Sequence, residues 1–336
     1  MAIGVGAALL SGCGGGSETR QSETFPTREA AQKQPDRVEP RQPQEVWVAL
    51  DGWEAAETLG VVVAEKHGYF KKFRISVLTL APATPALSIP DVLNGSDLIA
   101  VAHAPQAVVA KAKGAPIVVL GSLVSQPTAA MIWLKKSSIN DIADLKGKTI
   151  AIPGLSFQRD FLESILKREG LNLEDVKVMK VGNDLVPALL KGRADAIFGG
   201  SGNLEGADLK ARGLEPIITP VRKFGAPPYE ELVLVAHEGA VSANPRLMRD
   251  FVAAVVEAAG DASGNPKGAI KALESASERN PETSSKAQAA EVEQTLPLLS
   301  ESGRINANEL QGLADWMYEQ GMIQREVSVS ELLASP

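Results

Sequence analysis

From Val46 onward the sequence alternates short apolar runs with stretches of helical period, and this limits the fold more than any other feature. Residues 46–50, 75–80, 98–102 and 117–120 read as strands, and residues 59–66, 89–94 and 106–113 between them read as helices. Repetition of this kind favours an α/β fold with a mainly parallel sheet, because each helical crossover returns the chain to the same end of the sheet.

A second unit begins near Met131. Asp144-Leu145-Lys146-Gly147-Lys148 turns into a strand at 149–152, and Pro153-Gly154-Leu155-Ser156 leads into a helix with an apolar stripe of Phe157, Phe161, Leu162, Ile165 and Leu166. Gly170 stands where a glycine ends such a helix. A strand near 176–181, a helix at 185–191, a strand at 194–198 and a helix at about 203–212 complete a smaller α/β lobe. The strand at 232–236 reads as a return to the first lobe, and the remainder is predicted helical. Asn244-Pro245 reads as a cap followed by proline in the first turn, with Leu247, Phe251, Val252, Val255 and Ala259 on one face. Asn306 and Glu309 read as caps of a last helix, whose apolar face is Leu310, Leu313, Ala314 and Met317. The chain is therefore expected to form lobe I from 45–128 plus 230–336 and lobe II from 129–229. Crossings near 126–130 and 224–229 would make a two-strand hinge.

Ahead of the lobes, residues 2–10 are apolar and uncharged, and Leu10-Ser11-Gly12-Cys13 follows. An apolar run of this length fits a signal-peptide core rather than a membrane span. Cys13 is the only cysteine of the chain and can form no internal disulfide. Residues 10–13 are read as a lipobox, so residues 1–13 are a lipoprotein signal and Cys13 is the lipidated residue. No positively charged segment precedes the apolar run, so either the start lies upstream or the chain is expected to be secreted poorly as written. Each buried CH₂ of an acyl chain adds about 0.8 kcal/mol of membrane affinity, and two chains suffice for stable anchoring. Residues 14–44 are polar and rich in Gly, Ser, Gln, Glu, Arg and Pro, too poor in apolar groups to offset their own ordering entropy. They read as a flexible tether with an extended reach on the order of 100 Å. The expected location is extracytoplasmic, lipid-anchored to a bacterial cell membrane.

The 336 residues carry a formal net charge of -7 and no long basic run, which argues against a nucleic-acid partner. Aromatic residues are only 4% of the chain, so an aromatic side chain in a loop is unusually informative.

Several segments together have a family look. They are Leu50-Asp51-Gly52-Trp53, Ala64-Glu65-Lys66-His67-Gly68-Tyr69-Phe70-Lys71-Lys72, Asp144-Leu145-Lys146-Gly147-Lys148-Thr149-Ile150-Ala151 and Gly192-Arg193-Ala194-Asp195-Ala196. Gly225-Ala226-Pro227-Pro228-Tyr229-Glu230-Glu231-Leu232-Val233-Leu234-Val235 extends the set. The chain resembles the substrate-binding proteins of ABC importers in the group that carries thiamine pyrimidine precursors, aliphatic sulfonates and nitrate. The resemblance covers nearly everything after Val46, and the segment from Gly225 to Val235 is most similar to the thiamine-precursor branch. That branch reads Leu-Asp-Trp where this chain inserts Gly52. The resemblance implies a periplasmic-binding-protein-like fold of two α/β lobes with mixed, mainly parallel sheets joined by two crossovers. It also implies capture of a small molecule, an aminopyrimidine, and its delivery to an ABC permease and ATPase by a monomer without cofactor or metal.

The loops expected at the interlobe cleft are residues 51–58, 103–106, 153–159 and 199–206, with Tyr229 at the crossing. They carry Asp51, Glu54, Glu57 and Glu205 against Arg159, an acceptor-rich set that suits a heteroaromatic amine better than sulfonate or nitrate. The candidate ligand-binding residues are Trp53, Glu54, Glu57, Thr58, His103, Ser156, Gln158, Asn203, Glu205 and Tyr229. Trp53 reads either as a lid over core or as a stacking platform, and Tyr229 either as hinge packing or as the opposite face. Glu205 reads either as an acid in a first helical turn or as the partner of the ring amine, which the resemblance favours. Asn203 would assist it or cap its helix, and Ser156 would cap the next helix or leave free amides for a phosphate or formyl oxygen. His103 reads first as a local hydrogen bonder. Glu230-Glu231 reads as a solvated strand edge, and Gly199-Gly200-Ser201-Gly202 lacks the Lys-Ser or Lys-Thr of a phosphate loop. The alternatives are a sulfonate, nitrate or riboflavin-like ligand on the same scaffold, and a pyrimidine-synthase-like enzyme. The enzyme is disfavoured because Cys13 is used by the lipobox and Thr58 stands where the resemblance places a histidine.

Overall fold

The computed structural model describes residues 42–276 and 280–333; the signal segment, Cys13 and nearly all of the tether lie outside them. Among these described residues, ten strands make two sheets of five. They are β1 (Gln44–Ala49), β2 (Ile75–Leu80), β3 (Ile99–His103), β4 (Ile117–Val124), β5 (Ala129–Leu134), β6 (Thr149–Ile152), β7 (Lys177–Lys180), β8 (Ala196–Ser201), β9 (Pro216–Pro220) and β10 (Leu232–His237). The first sheet has the order β2-β1-β3-β10-β4 and the second β7-β6-β8-β5-β9.

Each sheet contains one strand that runs against both its neighbours, β10 in the first and β5 in the second. These are the strands the chain makes immediately after crossing from the other lobe. Leu232 pairs with His103, and Ala129 with Ser201, so each returning strand starts where β3 or β8 ends. A chain arriving at that end can only run away from it, which reverses the strand. The sheets are thus mixed and mainly parallel, as expected.

The motifs of the sequence act largely as structural fixings. Gly68 takes a left-handed φ of 80°, which separates the helix Leu59–Lys66 from the turn Tyr69–Lys72 and lets Phe70 stack on Phe251 at 4.9 Å. His67 Nδ1 lies 2.7 Å from Asp261 Oδ2 on the same long helix, Pro245–Gly264. In Asp144-Leu145-Lys146-Gly147-Lys148, Leu145 is fully buried and Gly147 donates its N–H to Asp175 O. Asp195 accepts from the Thr149 N–H at 2.8 Å and joins the start of β6 to the start of β8.

The helix Ser156–Arg168 ends at Gly170 as predicted: Gly170 N–H bonds to Lys167 O and Leu171 N–H to Leu166 O, the paired bonds of a Schellman cap. β5 and β9 lack any alternating signal. Pro216 and Pro220 bound β9, which is tolerated because it lies at the sheet edge. Asn244 stands at the cap position of the helix Pro245–Gly264 with Pro245 in the first turn, as predicted, but its side chain makes no capping bond; its Nδ2 donates backward to Ala240 O of the preceding short helix. Asn306 does cap the helix Ala307–Glu319, accepting from the N–H groups of Asn308 and Glu309. A further short helix, Val329–Leu332, follows it. Losing this cap in Asn306→Ala should lower unfolding stability by about 1 kcal/mol in urea titration, with unchanged far-UV circular dichroism.

Candidate functional site

The carboxyl ends of strands from both lobes meet at a cavity of about 170 Å³. One wall is the loop after β1, carrying Asp51, Trp53, Glu54, Glu57 and Thr58, with His103 from the end of β3. The other wall is Asn183, Leu185, Val186 and Pro187 with Gly199, Gly200, Ser201, Leu204, Glu205, Asp208 and Arg212. Gln288 and Glu291 on the helix Ser285–Thr295 line it as well.

Charge is tightly organised at the hinge. His103 Nδ1 lies 2.8 Å from Glu231 Oε1, and its Nε2 is 3.4 Å from Asp51 Oδ2. Glu231 Oε2 accepts from the N–H groups of Thr128 and Ala129 at 2.8 and 3.1 Å. Burial opposes the imidazolium, but the bond and charge of Glu231, with the charge of Asp51, overcome it and push His103 up to about 9. Burial likewise opposes the Glu231 carboxylate, yet His103 and the two amides bring it below its ordinary value. Burial raises Asp51 despite the pull of His103.

Glu57 sits one step further in. Its Oε1 accepts from Thr128 Oγ1 at 3.0 Å and from Asn203 Nδ2 at 2.9 Å. Asn203 Nδ2 also reaches Thr295 Oγ1 at 2.8 Å, so one amide ties the second sheet's lobe to two elements of the first. Burial, then repulsion from Glu231, raises Glu57 to about 7. Near neutral pH this carboxyl can either accept or donate a proton.

Of the predicted residues, Trp53, Glu54, Glu57, Thr58, His103 and Glu205 line the cavity. Glu205 Oε2 accepts from the Ser201 N–H at 2.6 Å, and burial raises its pKa. Gly200 makes room for it, since a Cβ there would come 3.0 Å from Glu205 Oε2. Gly199 does the same for Gln158: its φ is 82°, and a Cβ would meet Gln158 Nε2 at 2.8 Å. These glycines lie in β8 and serve close packing. The Thr58 hydroxyl is held by Ala55, bonding both its N–H and its carbonyl, and Glu54 Oε1 accepts from Thr79.

Four predicted residues stand elsewhere. Tyr229 is 1% exposed and packs in an apolar cluster with Val221 and Val233, so it is hinge core and not the opposite stacking face. Ser156 is exposed and Leu155 takes the cap position. Two of the amides there are already taken, because Gln158 Oε1 accepts from the N–H groups of Gly154 and Leu155, both at 3.1 Å. Asn203 lies behind Glu57, and Leu204 takes the cap of its helix. The pair Glu230-Glu231 is no solvated edge either. Glu231 is 1% exposed, and buried Glu230 accepts from the Asn306 N–H at 2.6 Å.

Sequence reasoning missed Asn183, Asp208, Arg212, Gln288 and Glu291 as lining residues, and Glu231 as the centre of the hinge. One signal was available. Gln288, Glu291 and Thr295 are buried at i, i+3 and i+7 on one helix face, where a plain core helix would place apolar groups. The guanidinium at the cavity is Arg212 rather than Arg159, and its Nε is engaged by Asp208 Oδ1 at 2.8 Å. Gly52 lies against Asn183 of the other wall, where an added Cβ would come 3.1 Å from Asn183 Oδ1.

Residues 55–269 match the family described as NMT1/THI5 like. The chain belongs to that family. A Haemophilus influenzae relative whose name assigns it to thiamine biosynthesis is 30% identical over 291 residues, 86% of this chain and 91% of its own. The formylaminopyrimidine-binding protein of Halalkalibacterium halodurans is 30% identical over 229 residues, 68% of this chain and 69% of that one. Some family members matched over shorter stretches are named 4-amino-5-hydroxymethyl-2-methylpyrimidine phosphate synthase. The Schizosaccharomyces pombe one is 30% identical over 45% of this chain and 43% of its own. Among solved structures, the alkanesulfonate-binding protein SsuA from Xanthomonas axonopodis pv. citri bound to MOPS superposes with a TM-score of 0.69 at 18% identity. That match covers 87% of this chain and 99% of the other, and establishes the periplasmic-binding-protein fold.

Two outcomes follow from the charge arrangement. His103, Glu57 and Glu291, the last raised to about 8, all hold protons more tightly folded than unfolded. Each therefore stabilises the fold fully below its ordinary pKa, and loses that contribution as pH rises through its folded value. Urea midpoints should fall from pH 6 to pH 9, whereas a flat profile would contradict the assignment. In Glu231→Gln, the His103 resonances in a histidine NMR titration should move from a midpoint near 9 toward the ordinary 6.5. The same variant should unfold at lower temperature, because a buried charge loses its partner.

Proposed function

We propose that this protein is the substrate-binding component of an ABC importer. It captures a thiamine pyrimidine precursor, a hydroxymethyl- or formylamino-pyrimidine, in the interlobe cavity and hands it to a permease driven by an ATPase. The observation that carries this reading is the chemistry of the wall. Carboxyl groups of Glu57, Glu205 and Glu291 surround a space bordered by Trp53, and the lining guanidinium of Arg212 is committed to Asp208. An aminopyrimidine offers amine N–H donors beside a ring-nitrogen acceptor on a flat face. A carboxyl poised near neutrality, such as Glu57, meets both: its hydroxyl can donate to the ring nitrogen while its carbonyl accepts from the amine. The proton can equally reside on the ring, leaving a carboxylate that accepts twice. Trp53 supplies a π face, worth about 0.5 to 1.5 kcal/mol beyond area burial when a ring lies on it. Sulfonate or nitrate calls for a forked donor, and among the described residues the guanidinium lining the cavity, Arg212, already gives its Nε to Asp208 and its Nη2 to the Glu282 carbonyl. The formylaminopyrimidine-binding relative supports the same ligand class.

The protein is read as a binder and not a catalyst. His103, the histidine at the cavity, is held by a carboxylate on each nitrogen and so positions the hinge. Its role as an importer component places it outside the cytoplasm, with Cys13 as the lipidated anchor and residues 14–44 as the tether.

Thermal unfolding against hydroxymethyl- and formylamino-pyrimidines, thiamine, riboflavin, taurine and nitrate tests the ligand class. The pyrimidines should stabilise the protein, by about 2.7 kcal/mol at a hundredfold excess over Kd; stabilisation by taurine alone would overturn the reading. In calorimetry, Trp53→Ala and Glu205→Gln should each weaken pyrimidine binding about tenfold or more without unfolding the protein.

A further inference from the structure

Among the cavity carboxyls, Glu291 has a distinctive setting. It projects from the buried face of the helix Ser285–Thr295, is 7% exposed and lines the cavity. Each of the other carboxyls around it already has one oxygen held by the protein. Glu57 accepts from Thr128 and Asn203, Glu205 from the Ser201 N–H, and Asp208 pairs with Arg212. No hydrogen bond or ion pair is formed by the Glu291 carboxyl among the described residues. With no protein partner and a place on the cavity lining, this carboxyl is open to a group bound there.

We propose that Glu291 is the specificity-determining residue of the cavity, receiving a positively charged N–H-bearing substituent of the ring ligand. This rests on the pyrimidine reading and deepens it, from the ring to the group the ring carries. The surroundings define the charge of that group. Glu205 and Asp208 face Glu291 from the helix Glu205–Ala211, and Glu57 from the loop after β1. The guanidinium of Arg212 acts in the opposite sense, while bound to Asp208 and to the Glu282 carbonyl. Negative charge therefore exceeds positive charge at this end of the cavity. An alkylammonium is favoured there by the carboxylate that Glu291 becomes on giving up its proton, by N–H bonds to it, and by the excess of carboxyls over guanidinium around it. A neutral hydroxymethyl group gains the bond without the attraction, and a phosphate ester is repelled.

The arrangement also fixes the proton stoichiometry. With its cavity empty, Glu291 is pushed up to about 8, by burial first and then by Glu205, Asp208 and Glu57, so at pH 7 it is mostly protonated. An ammonium docking on it converts the acid to a carboxylate and releases that proton to solvent. A neutral substituent leaves it in place.

The test compares two ligands sharing one ring, 4-amino-2-methylpyrimidine bearing either a 5-aminomethyl or a 5-hydroxymethyl group. Calorimetry is run at pH 7 in buffers of different ionisation enthalpy, on the wild type and on Glu291→Gln. The wild type should bind the aminomethyl ligand about tenfold or more tighter and release more protons with it than with the hydroxymethyl ligand. Glu291→Gln, which keeps shape and removes the titration, should level the two affinities and abolish the additional proton release, while retaining the hydroxymethyl ligand. Glu291→Asp, shorter but still acidic, should restore part of the preference and report on any loss of folding in the glutamine variant. Equal binding of both ligands by the wild type, or an unchanged preference in Glu291→Gln, overturns the role of Glu291 and leaves the pyrimidine reading standing. Binding of neither ligand overturns the pyrimidine reading itself, and the inference with it.

Discussion

The buried Glu231 carboxylate is the interaction on which the rest of the structure depends. It lies immediately before β10, on the second crossing between lobes, and accepts the N–H groups of Thr128 and Ala129 on the first. One side chain therefore fixes both hinge strands relative to each other. A buried carboxylate is expensive unless charge and hydrogen bonds surround it, and here the imidazolium of His103 and two amides meet that need. His103 in turn reaches Asp51 in the loop after β1. Hinge geometry and cavity charge are thus parts of one network.

This coupling explains why the cavity carboxyls do not behave independently. The negative charge of Glu231 helps raise Glu57, while the Asn203 amide and His103 pull it the other way. The result is a carboxyl balanced near neutrality at a place where two lobes meet. Asn203 contributes a second service by joining Glu57 to Thr295, so a hydrogen bond links the lobes behind Glu57. The close approach of Gly52 and Asn183 plays a similar part at the upper wall, and gives the inserted glycine of the first loop a packing reason.

Legibility from sequence varied with the range of the interaction. Strands β1 to β4, the helix ended by Gly170 and the Asn306 cap were readable, because period, turn glycine and cap act within a few residues. β5 and β9 were not, since one carries no alternation and the other is bounded by prolines that only an edge position tolerates. Trp53, Glu57 and Glu205 reach the cavity lining as expected because they follow closely on strand ends. Gln158 and Tyr229 were misplaced for a common reason: proximity to a cleft loop does not reveal whether a side chain turns to the cavity or to its own backbone and core. Gln158 caps two local amides, and Tyr229 fills the hinge.

The sequence by itself determined the α/β alternation, the return of the chain to its first lobe, and the motifs around Gly68 and Leu145 that mark the family. These depend on local period and on backbone positions that only certain residues occupy. The tertiary structure alone decided which acids are solvated and which are buried. Glu231 reads as a surface residue until β10 is placed between β3 and β4, and Glu291 as a helix acid until the helix Ser285–Thr295 is seen to close the cavity. Burial and the nearness of other charges set what a carboxyl can do, and both arise from contacts between residues far apart in the chain.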